Sequence, residues 1–566
     1  MRWFLLVAAV LVAAAVAFIA STLPPKRLTL ADSDPDHTVA GVIHVHSSRS
    51  DGRGTPEEIA VAAAQAGLKF VVITDHGDGT RTPDPPVYRS GVLCLDAIEI
   101  STSGGHYIAL DMPAAPYPLG GEARDVVEDV KRLGGFGIAA HPDSPKDDLR
   151  WRDWIAPMDA IEVVNLDTAW RQRAAQTSWR QRFDLGARLI AYPIRPAESI
   201  ATLIQPSTIW DRWALLARRR HLVTLAGADA HARVGWRRGE PAAADVSAPL
   251  PSYLASFETL SVHLRTERAL TGDAAFDARM IIRAIRAGHA YSAVDGVASP
   301  ASFDFSATND HGTVHAGDEL SAAGPLVLRV RSNAPPGFTT TIWNGATPVS
   351  GDHHEQDFSV QLPEGDGVYR VEIRASSPFH TFPWIISNAI YVRVPLPDVA
   401  STGRAVPATS LPLFDGSLAG WNVEEDPTSL GAVDLAATGI TSEPTLRWRF
   451  GLSSAPAAAQ FVALNVALPH GVESSDRVTF TARAERPMRI SVQLRTPRER
   501  WQRSVYVEAF DREQTVLFDD LRPISPTASA RPSLADVHAL MFVVDTTNTK
   551  PGTSGRICIT DPMLQK

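Results

Sequence analysis

The chain contains little cysteine: only Cys94 and Cys558 occur among 566 residues, far apart and in different predicted domains. We therefore expect no disulfide between them, which excludes the small scaffolds that disulfides hold together. Two isolated thiols also exclude a metal site built from cysteine thiolates. Any metal ion bound by this chain must be held by nitrogen and oxygen ligands.

Excess positive charge is also missing, as are several common catalytic signatures. Lys and Arg number 54 against 63 Asp and Glu, the formal net charge is -9, and no long basic block occurs. Nucleic-acid binding normally needs a positive surface, so nucleic acid is not expected as a main partner. No glycine-rich phosphate loop, serine nucleophile elbow or internal repeat stands out.

A long apolar run lies near the amino end, from Trp3 to Ala20. Its length suits a signal-peptide core and is close to the roughly 20 residues that span a bilayer. The nearest cleavage candidate, Ala20-Ser21, has Phe18 where a small residue is needed. We therefore expect residues 1–27 to form an uncleaved membrane anchor, with a cleaved signal segment as the alternative. In both cases the protein is exported, membrane-anchored or secreted, to the periplasm or the cell exterior.

Length and patterning predict several domains. The 44% apolar and 21% charged fractions are those of globular protein, and this length corresponds to about three or four domains. Strands alternate with helical stretches over residues 36–298, which predicts a mainly parallel sheet, most simply an α/β barrel. The remainder is predicted to be all-β, with an Ig-like sandwich at 299–397, a linker at 398–411 and a jelly-roll sandwich at 412–566.

Histidine and carboxylate residues recur where the predicted strands of the first region end. They are His44, His46 and Asp51 after the first strand, then His76, Glu99, His106, His141, Asp229 and His231 at or near later strand ends. Each one alone is weak evidence, since a lone His is usually a packed residue and a lone Asp usually a cap. Sites of parallel α/β folds assemble at this edge of the sheet, so the recurrence predicts one shared site.

The make-up of this set predicts a multinuclear metal centre. Six converging imidazoles would be difficult to keep neutral and hydrogen-bonded without a metal. Mixed imidazole and carboxylate ligands suit zinc, manganese or iron(II) rather than an all-oxygen calcium or magnesium site. Nine ligands are too many for one ion, so two or three divalent ions are expected, with Glu99 or Asp51 available to bridge them.

These motifs resemble those of the PHP family, the polymerase-and-histidinol-phosphatase metallohydrolases. His44-Val45-His46-Ser47 and Ser50-Asp51-Gly52 are similar to the first family motif, and Thr74-Asp75-His76 is similar to the second. Glu99, His106, His141-Pro142, Asp229 and His231 match the remaining ligand positions, over a region of resemblance from residue 38 to 300. The resemblance implies a distorted (β/α)7 barrel with a trinuclear site shared by all nine residues.

Further segments resemble one branch of that family, the CehA/McbA-like proteins. Residues 284–291 (AIRAGHAY) look like a segment near the end of that barrel, and 384–391 (WIISNAIY) look like the sandwich appended to it. The carboxyl-terminal module, from Phe414-Asp415-Gly416 to Asp561-Pro562, loosely resembles carbohydrate-binding jelly rolls. Glycan contact through this module is the corresponding expectation.

Charged residues beside the ligand motifs are candidates for other roles. Arg49, Lys146 and Arg233 would bind an anionic substrate, although cations at such a rim are more often simply solvated. Asp75 and Glu162 would orient metal-bound imidazoles, the alternative being hydrogen-bonded caps.

The function expected from these observations is that of an exported metal-dependent hydrolase. It is most simply a phosphoesterase in which a metal-activated hydroxide attacks a small phosphorylated ester. Hydrolysis follows from the residues, whereas phosphate follows from the family resemblance. The same site would serve a hydrolase of carbamates, carboxylic esters or amides. A protein of another class, a cell-surface glycan-binding protein with a degenerate barrel, stays open, but the intact ligand set counts against it.

Overall fold

The chain divides into two compact units in a computed structural model. The structure describes residues 3, 4, 7, 13, 16, 20, 22–31, 37–236, 246–376, 381–394, 409–437, 444–455, 459–525 and 529–566. Most of the apolar run 3–20 and residues 398–408 of the expected linker lie outside the described residues. Within the described part, no helix is both long and apolar enough to cross a membrane. The first unit comprises residues 1–77, 82–113 and 127–397, and the second comprises 78–81, 114–126 and 398–566.

The chain is a mixed, strand-rich protein. The α-helices are α1 (Pro56–Gln65), α2 (Ala123–Arg132), α3 (Leu166–Ala174), α4 (Trp179–Ala191), α5 (Pro196–Ala201), α6 (Trp210–Ala217), α7 (Tyr253–Phe257) and α8 (Ala274–Ala287), with short 3-10 helices at Phe518–Asp520 and Leu534–Asp536. The strands of the first unit are β1 (Leu28–Thr29), β2 (Thr38–Val45), β3 (Phe70–Ile73), β4 (Val87–Arg89), β5 (Val92–Asp96), β6 (Ile98–Thr102), β7 (Gly105–Leu110), β8 (Phe136–Ala139), β9 (Ala160–Asn165), β10 (Val223–Gly227), β11 (Val234–Trp236), β12 (Val246–Ala248), β13 (Ser261–Arg265), β14 (Ala290–Ala293), β15 (Ala298–Ser299), β16 (Phe303–Asn309), β17 (Gly312–His315), β18 (Glu319–Ser321), β19 (Leu326–Ser332), β20 (Phe338–Asn344), β21 (Thr347–Pro348), β22 (Asp357–Leu362), β23 (Gly367–Ser376), β24 (Thr381–Ser387) and β25 (Ile390–Arg393).

Two sheets of the first unit carry the strands that lead to the candidate ligands. One runs in the order β10-β9-β8-β7-β6, with β8, β9 and β10 parallel. The other runs β18-β25-β23-β24-β14-β13-β2-β3-β5-β4, with β2, β3 and β5 parallel. Isolated bridges pair Val45 with Ala230 and His76 with Glu99, so strand ends of the two sheets meet.

The directions of several strands differ from the mainly parallel sheet that the sequence predicts: β4 pairs antiparallel with β5, β13 with β2, and β7 with both of its neighbours. Strands β6 and β7 pair antiparallel. Only residues 103 and 104 separate them. A connection this short can join only antiparallel strands, because a parallel crossover needs a dozen or more residues. The hairpin places Glu99 and His106 on neighbouring strands.

Helix α1 begins where the sequence signals a helix start. Thr55 is followed by Pro56 in the first turn and by Glu58 at the third position, the pattern of a capping box. The Glu58 amide donates to Thr55 Oγ1 at 3.3 Å, and the Thr55 amide donates to Glu58 Oε2 at 2.8 Å. Ile59 and Ala63 of this helix are buried in the core beneath the sheet. The helix therefore fixes the far end of the loop that carries Asp51.

Strand β10, which leads to Asp229 and His231, is held by the segment 384–391. Asn388 Oδ1 accepts a hydrogen bond from the Thr224 amide at 2.7 Å, and its Nδ2 donates to the Thr224 carbonyl at 2.9 Å. The Tyr391 hydroxyl accepts from the Leu222 amide and donates to the Leu222 carbonyl. Strand β24 of this segment also pairs with β14, so the sheet continues across residue 298.

The second unit is all-β, as the alternating pattern of its sequence predicts. Its strands are β26 (Ser410–Pro412), β27 (Trp421–Glu425), β28 (Leu430–Ala437), β29 (Pro444–Gly451), β30 (Phe461–Ala467), β31 (Arg477–Ala484), β32 (Met488–Arg495), β33 (Arg500–Val507), β34 (Arg512–Leu517), β35 (Arg522–Pro523), β36 (Ala539–Asp545) and β37 (Ser554–Gln565). They form two six-stranded sheets. The apolar core of this unit includes Trp421, Trp448 and Phe542.

Candidate metal centre

The nine residues predicted as ligands come together in the first unit. They form four overlapping groups, within each of which the ligand atoms lie within 4.8 Å of one another: His46, Asp51, His76 and His231; His44, Glu99 and His141; His44, His46 and Asp229; and His76, Glu99 and His106. The overlap of the groups makes them one continuous cluster rather than separate sites. Nine potential ligands are more than a single ion can bind.

Glu99 lies at the middle of the cluster and is almost completely buried. Its Oε1 is 2.8 Å from His106 Nδ1 and 3.1 Å from His141 Nε2, and its Oε2 is 3.2 Å from His44 Nε2, 3.0 Å from His46 Nε2 and 3.4 Å from His76 Nδ1. Both oxygens of a single carboxylate therefore face imidazoles. Glu99 could therefore share a metal ion with several of these imidazoles.

The two aspartates occupy different depths. Asp229 is buried, with Oδ1 at 3.4 Å from His44 Nε2 and Oδ2 at 3.4 Å from His141 Nε2. The Asp51 side chain is 49% exposed, with Oδ1 at 3.3 Å from His231 Nε2 and Oδ2 at 3.6 Å from His76 Nε2. The cluster is thus closed on the Asp229 side and reached by solvent on the Asp51 side.

The backbone is strained at three of the ligand positions. His44, His141 and Asp229 have φ angles of 66°, 41° and 46°, a left-handed conformation that costs non-glycine residues about 1–3 kcal/mol each. At His44 the strain coincides with an irregularity in the pairing of β2 with β3, between Val42 and Val45. The pleat alone predicts that His44 and His46 share one face, and in the structure the irregular strand brings both to the same carboxylates.

Glu162 orients one of these imidazoles. Its Oε1 is 2.6 Å from His44 Nδ1, and its Oε2 accepts hydrogen bonds from the His141 amide at 2.8 Å and from Asn165 Nδ2 at 3.0 Å. A Cβ atom at Gly227 would lie 1.8 Å from Glu162 Oε1, so only glycine leaves room for this carboxylate. With its proton on Nδ1, His44 would offer Nε2 as a ligand to a metal ion held beside Glu99 and Asp229.

Asp75 makes the contacts of a hydrogen-bonded cap, which is one of the two alternatives that the sequence leaves open. It accepts hydrogen bonds from the Ser47 amide at 2.8 Å, from Ser47 Oγ at 2.5 Å and from Ser50 Oγ at 2.6 Å, rather than from an imidazole. The serine-rich loop would otherwise expose these donors inside the protein. Asp75 therefore shapes the loop that carries Asp51.

Tyr253 and Asn165 support the cluster but are not among the residues predicted from the sequence. The Tyr253 hydroxyl donates to the His46 carbonyl at 2.7 Å and accepts from the Gly54 amide at 3.1 Å. Nothing near Tyr253 in the sequence marks it, because its partner is 207 positions away. Asn165 carries a usable signal, since it is the last residue of the strand that contains Glu162 and caps the helix that follows.

The three cations predicted to bind substrate differ in their surroundings. Arg49 pairs with Asp84 and lies 3.8 Å from Asp96 Oδ1, so its charge is already partly neutralised. Lys146 and Arg233 are exposed. Substrate binding by all three stays a prediction.

Opposite charges shift the ionisation of the cluster strongly. Burial alone would raise the pKa of Glu99, but the imidazoles of His44 and His141 lower it well below its ordinary value. Burial lowers the pKa of His141, but the carboxylates of Glu99 and Asp229 more than offset this and raise it to about 9. A buried group of anions that holds protons this tightly would also favour divalent cations in their place.

Orphaned nitrogen atoms provide an independent test of metal binding. His46 is completely buried, and neither of its ring nitrogens makes a hydrogen bond of good geometry in the described structure, although Nε2 lies 3.0 Å from Glu99 Oε2. The same is true of His76 Nδ1. Buried polar atoms are nearly always paired, so unpaired imidazole nitrogens facing carboxylates fit a metal-binding cluster. The donor set, all nitrogen and oxygen, suits divalent transition metals.

The fold and the cluster define a candidate multinuclear metal-binding protein, and comparisons place it among known sequences. No family model matches the chain. Over 138 residues it is 30% identical to an uncharacterised protein of Methanocaldococcus jannaschii, a match that covers 22% of this chain and 80% of that protein. The chain belongs to the same family as this archaeal protein.

Solved structures show weaker similarity. A two-domain protein from Bacteroides vulgatus, described as containing a predicted PHP-like metal-dependent phosphoesterase, matches 64% of this chain and 99% of its own at 13% identity and a TM-score of 0.29. A family 11 carbohydrate-binding module from Clostridium thermocellum matches 28% of this chain and 95% of its own at 14% identity and a TM-score of 0.24. At these TM-scores neither similarity establishes a shared fold or activity.

Proposed function

We propose that this chain is a metal-dependent hydrolase of PHP type that cleaves phosphate esters. The observation that carries the proposal is the convergence of nine imidazole and carboxylate side chains from strand ends far apart in the sequence. Divalent ions bound there would act as Lewis acids, lower the pKa of water and offset the negative charge of a reacting phosphate.

The nine residues would hold three ions, with zinc, manganese and iron(II) as candidates. Glu99 is the candidate bridge, because each of its oxygens faces a different set of imidazoles. Support for the expected distorted (β/α)7 barrel comes from the bridges of Val45 with Ala230 and of His76 with Glu99, which bring strand ends of the two sheets together.

The exposure of the ligands indicates the side from which a substrate would approach. His44, His46 and Glu99 form the buried floor of the cluster, whereas Asp51 is half-exposed. His76 and His231 are partly exposed beside Asp51. A small ester would therefore meet the cluster at Asp51, and Glu162 would keep His44 oriented beneath it.

Phosphate is favoured as the reacting group because of the family resemblance of the motifs and the concentration of positive charge that several ions would supply. A carbamate, carboxylic ester or amide could react at the same cluster, and this is the near alternative. Glycan contact through the second unit, as part of a glycan-binding protein or beside the hydrolase, stays a prediction.

Metal analysis and a substrate screen of the purified full chain test the proposal. We expect bound transition metal and hydrolysis of an aryl phosphate in preference to matched carboxylic esters and carbamates. His44→Ala and Asp229→Ala should each reduce kcat/KM by more than about a hundredfold. His311→Ala, which alters an exposed histidine outside the cluster, is the control and should leave turnover unchanged. Full turnover by both cluster variants would refute the proposal.

We also infer that the protein is exported and held at a membrane by residues 1–27. The support is the apolar run from Trp3 to Ala20 and the absence of a good cleavage site. Cell fractionation should find the full chain with membranes on the exported side, and deletion of residues 1–27 should remove it from them. A full chain that stays in the cytosol would contradict this inference.

A further inference from the structure

A cleft lies beside the candidate metal centre in the first unit. It is formed by the end of β9, the first two turns of α3 and the loops at 141–143 and 204–206, and it holds about 360 Å³, part of which is open to solvent. Two residues of the centre belong to its wall: the candidate ligand His141, and Glu162, which bonds His44 and the His141 amide. This space, the α3 cleft, therefore adjoins the cluster.

The α3 cleft is polar, and its two carboxylates already have hydrogen-bond donors. Its uncharged polar side chains are those of Asn165, Thr168, Gln172 and Gln205. Glu162 accepts from the His141 amide, and Asp143 accepts from Ser207 Oγ at 2.7 Å and from the Thr208 amide at 3.1 Å. No Lys or Arg is among the described residues that line the cleft. An anionic group would meet two carboxylates there without a counter-charge, whereas a neutral group with hydroxyls would find hydrogen-bonding partners.

One hydroxyl group of the lining lacks a partner. Thr168 is 4% exposed, and its Oγ1 makes no hydrogen bond to any residue in the described part of the chain. Buried hydroxyls are nearly always paired, so this one marks a place where a bound group would complete the pairing. The Thr168 amide donates to Asn165 Oδ1 at 2.8 Å, and Asn165 Nδ2 donates to Glu162 Oε2 at 3.0 Å. A chain of three hydrogen bonds thus links Thr168 to His44 and fixes its position.

Helix α3 also runs close to the partly exposed side of the cluster. Asp167, in its first turn, forms an ion pair with Arg171. Burial and then the negative charge of Asp229 raise the pKa of Asp167, whereas Arg171 and His231 oppose this rise. Charges act strongly on one another only over short distances, so the first turn of α3 lies near both Asp229 and His231. A substrate held beside His231 would therefore have α3, and the cleft along it, as a neighbour.

We propose that the α3 cleft binds a neutral, hydroxylated part of the substrate, so that the substrate is the phosphate ester of a small polyol. Thr168 Oγ1 would hydrogen-bond one hydroxyl of the polyol, and the amides of Gln172 and Gln205 would be available to others. The phosphate would stay at the metal cluster. This inference rests on the proposed function, because it names the alcohol whose ester is cleaved.

Two matched phosphonates test the cleft without the need for turnover. They are the analogues of glycerol phosphate and of propyl phosphate in which a methylene group replaces the ester oxygen, so neither can be hydrolysed and they differ only in two hydroxyls. Their affinities for the metal-loaded full chain would be measured by calorimetry. We expect the glycerol analogue to bind at least about fivefold more tightly, the factor that corresponds to one neutral hydrogen bond.

Variants of one threonine assign this preference to the cleft. Thr168→Val removes the hydroxyl and keeps the size of the side chain, so the preference should fall about fivefold. Thr168→Ser keeps a hydroxyl and should keep the preference. Thr479→Val is the matched control, since Thr479 is also buried with an Oγ1 unpaired in the described structure but lies in β31 of the second unit. It should leave the preference unchanged, and thermal unfolding and bound metal check that all three variants are folded.

The outcomes separate this inference from the proposed function. Equal affinity for the two phosphonates, equal effects of Thr168→Val and Thr479→Val, or no binding of either phosphonate would overturn the inference. Hydrolysis of an aryl phosphate without a preference for the glycerol analogue would overturn the cleft assignment alone. The expected preference without hydrolysis of glycerol phosphate would support the cleft as a polyol site and count against the phosphoesterase.

Discussion

Glu162→Gln tests how the cluster is organised, because it removes one charge and leaves size and shape unchanged. Glu162 receives three hydrogen bonds: from His44 at 2.6 Å, from the His141 amide at 2.8 Å and from Asn165 at 3.0 Å. All three partners are donors when His44 is protonated on Nδ1. A glutamine offers one acceptor oxygen and one donor group, so at least one donor must lose its acceptor.

The size of the effect follows from these contacts. A buried donor without an acceptor costs about 1–3 kcal/mol. Loss of a carboxylate that orients a ligating histidine typically weakens metal binding about 10- to 100-fold, or about 1.4–2.7 kcal/mol. We expect the loss of metal affinity to fall in the upper half of the 10- to 100-fold range, because the Glu162 carboxylate and His44 are both almost completely buried.

Metal affinity would be measured by competition with a chelator, and stability by urea unfolding of the metal-free protein. Glu372→Gln is the matched control: Glu372 is also a buried glutamate, but its partners are Arg370 and Arg374. It should lower stability and leave metal affinity unchanged. If Glu162→Gln binds metal as tightly as the unaltered protein, then Glu162 does not orient His44 for binding and the reasoning fails.

Three further changes test the cluster and the rest of the first unit. Metal at a hundredfold excess over its Kd should raise the free energy of unfolding of the unaltered protein by about 2.7 kcal/mol. The same metal concentration should raise the free energy of unfolding of Asp229→Ala very little, as followed by thermal unfolding. Equal increases for the two proteins would contradict the metal site. Burial raises the pKa of Asp295 from its ordinary 3.8 to about 7, so the stability it contributes is complete below pH 3.8 and is lost as pH rises through 7. Asp295→Asn should therefore be more stable than the unaltered protein at pH 8 and show a flatter dependence between pH 4 and 7 in urea unfolding, and equal stability at pH 8 would refute this. Trp384 is fully buried and donates to the Ala298 carbonyl at 2.8 Å, so Trp384→Ala should cost about 3–5 kcal/mol in the same assay; a loss below 1 kcal/mol would show that the site collapses to fill the cavity.

Strand ends could be located from the sequence because their signals are local. A short run of buried residues followed by His or Asp is visible within a few positions, as at Val42-Ile43-His44 and Ala226-Gly227-Ala228-Asp229. The antiparallel pairing of β6 with β7 is also set locally, by a two-residue connection, but the general rule of strand–helix alternation obscured it.

The roles of the supporting residues Asp75 and Glu162 could not be predicted from local sequence patterns. Asp75 and Glu162 look alike in the sequence, since each is a carboxylate at a strand end. The structure places Glu162 on His44 and Asp75 on Ser47 and Ser50. The difference depends on contacts between strands more than a hundred residues apart for Glu162, and no local pattern encodes it.

The sequence by itself determined the chemistry of the candidate centre: nitrogen and oxygen ligands, nine in number, none of them a cysteine. Only the tertiary structure decided which carboxylate faces which imidazole, and which glycine makes room for Glu162. The reason is physical. Ligand type is a property of each side chain, whereas its neighbours are fixed by strand register, backbone strain and packing between distant segments.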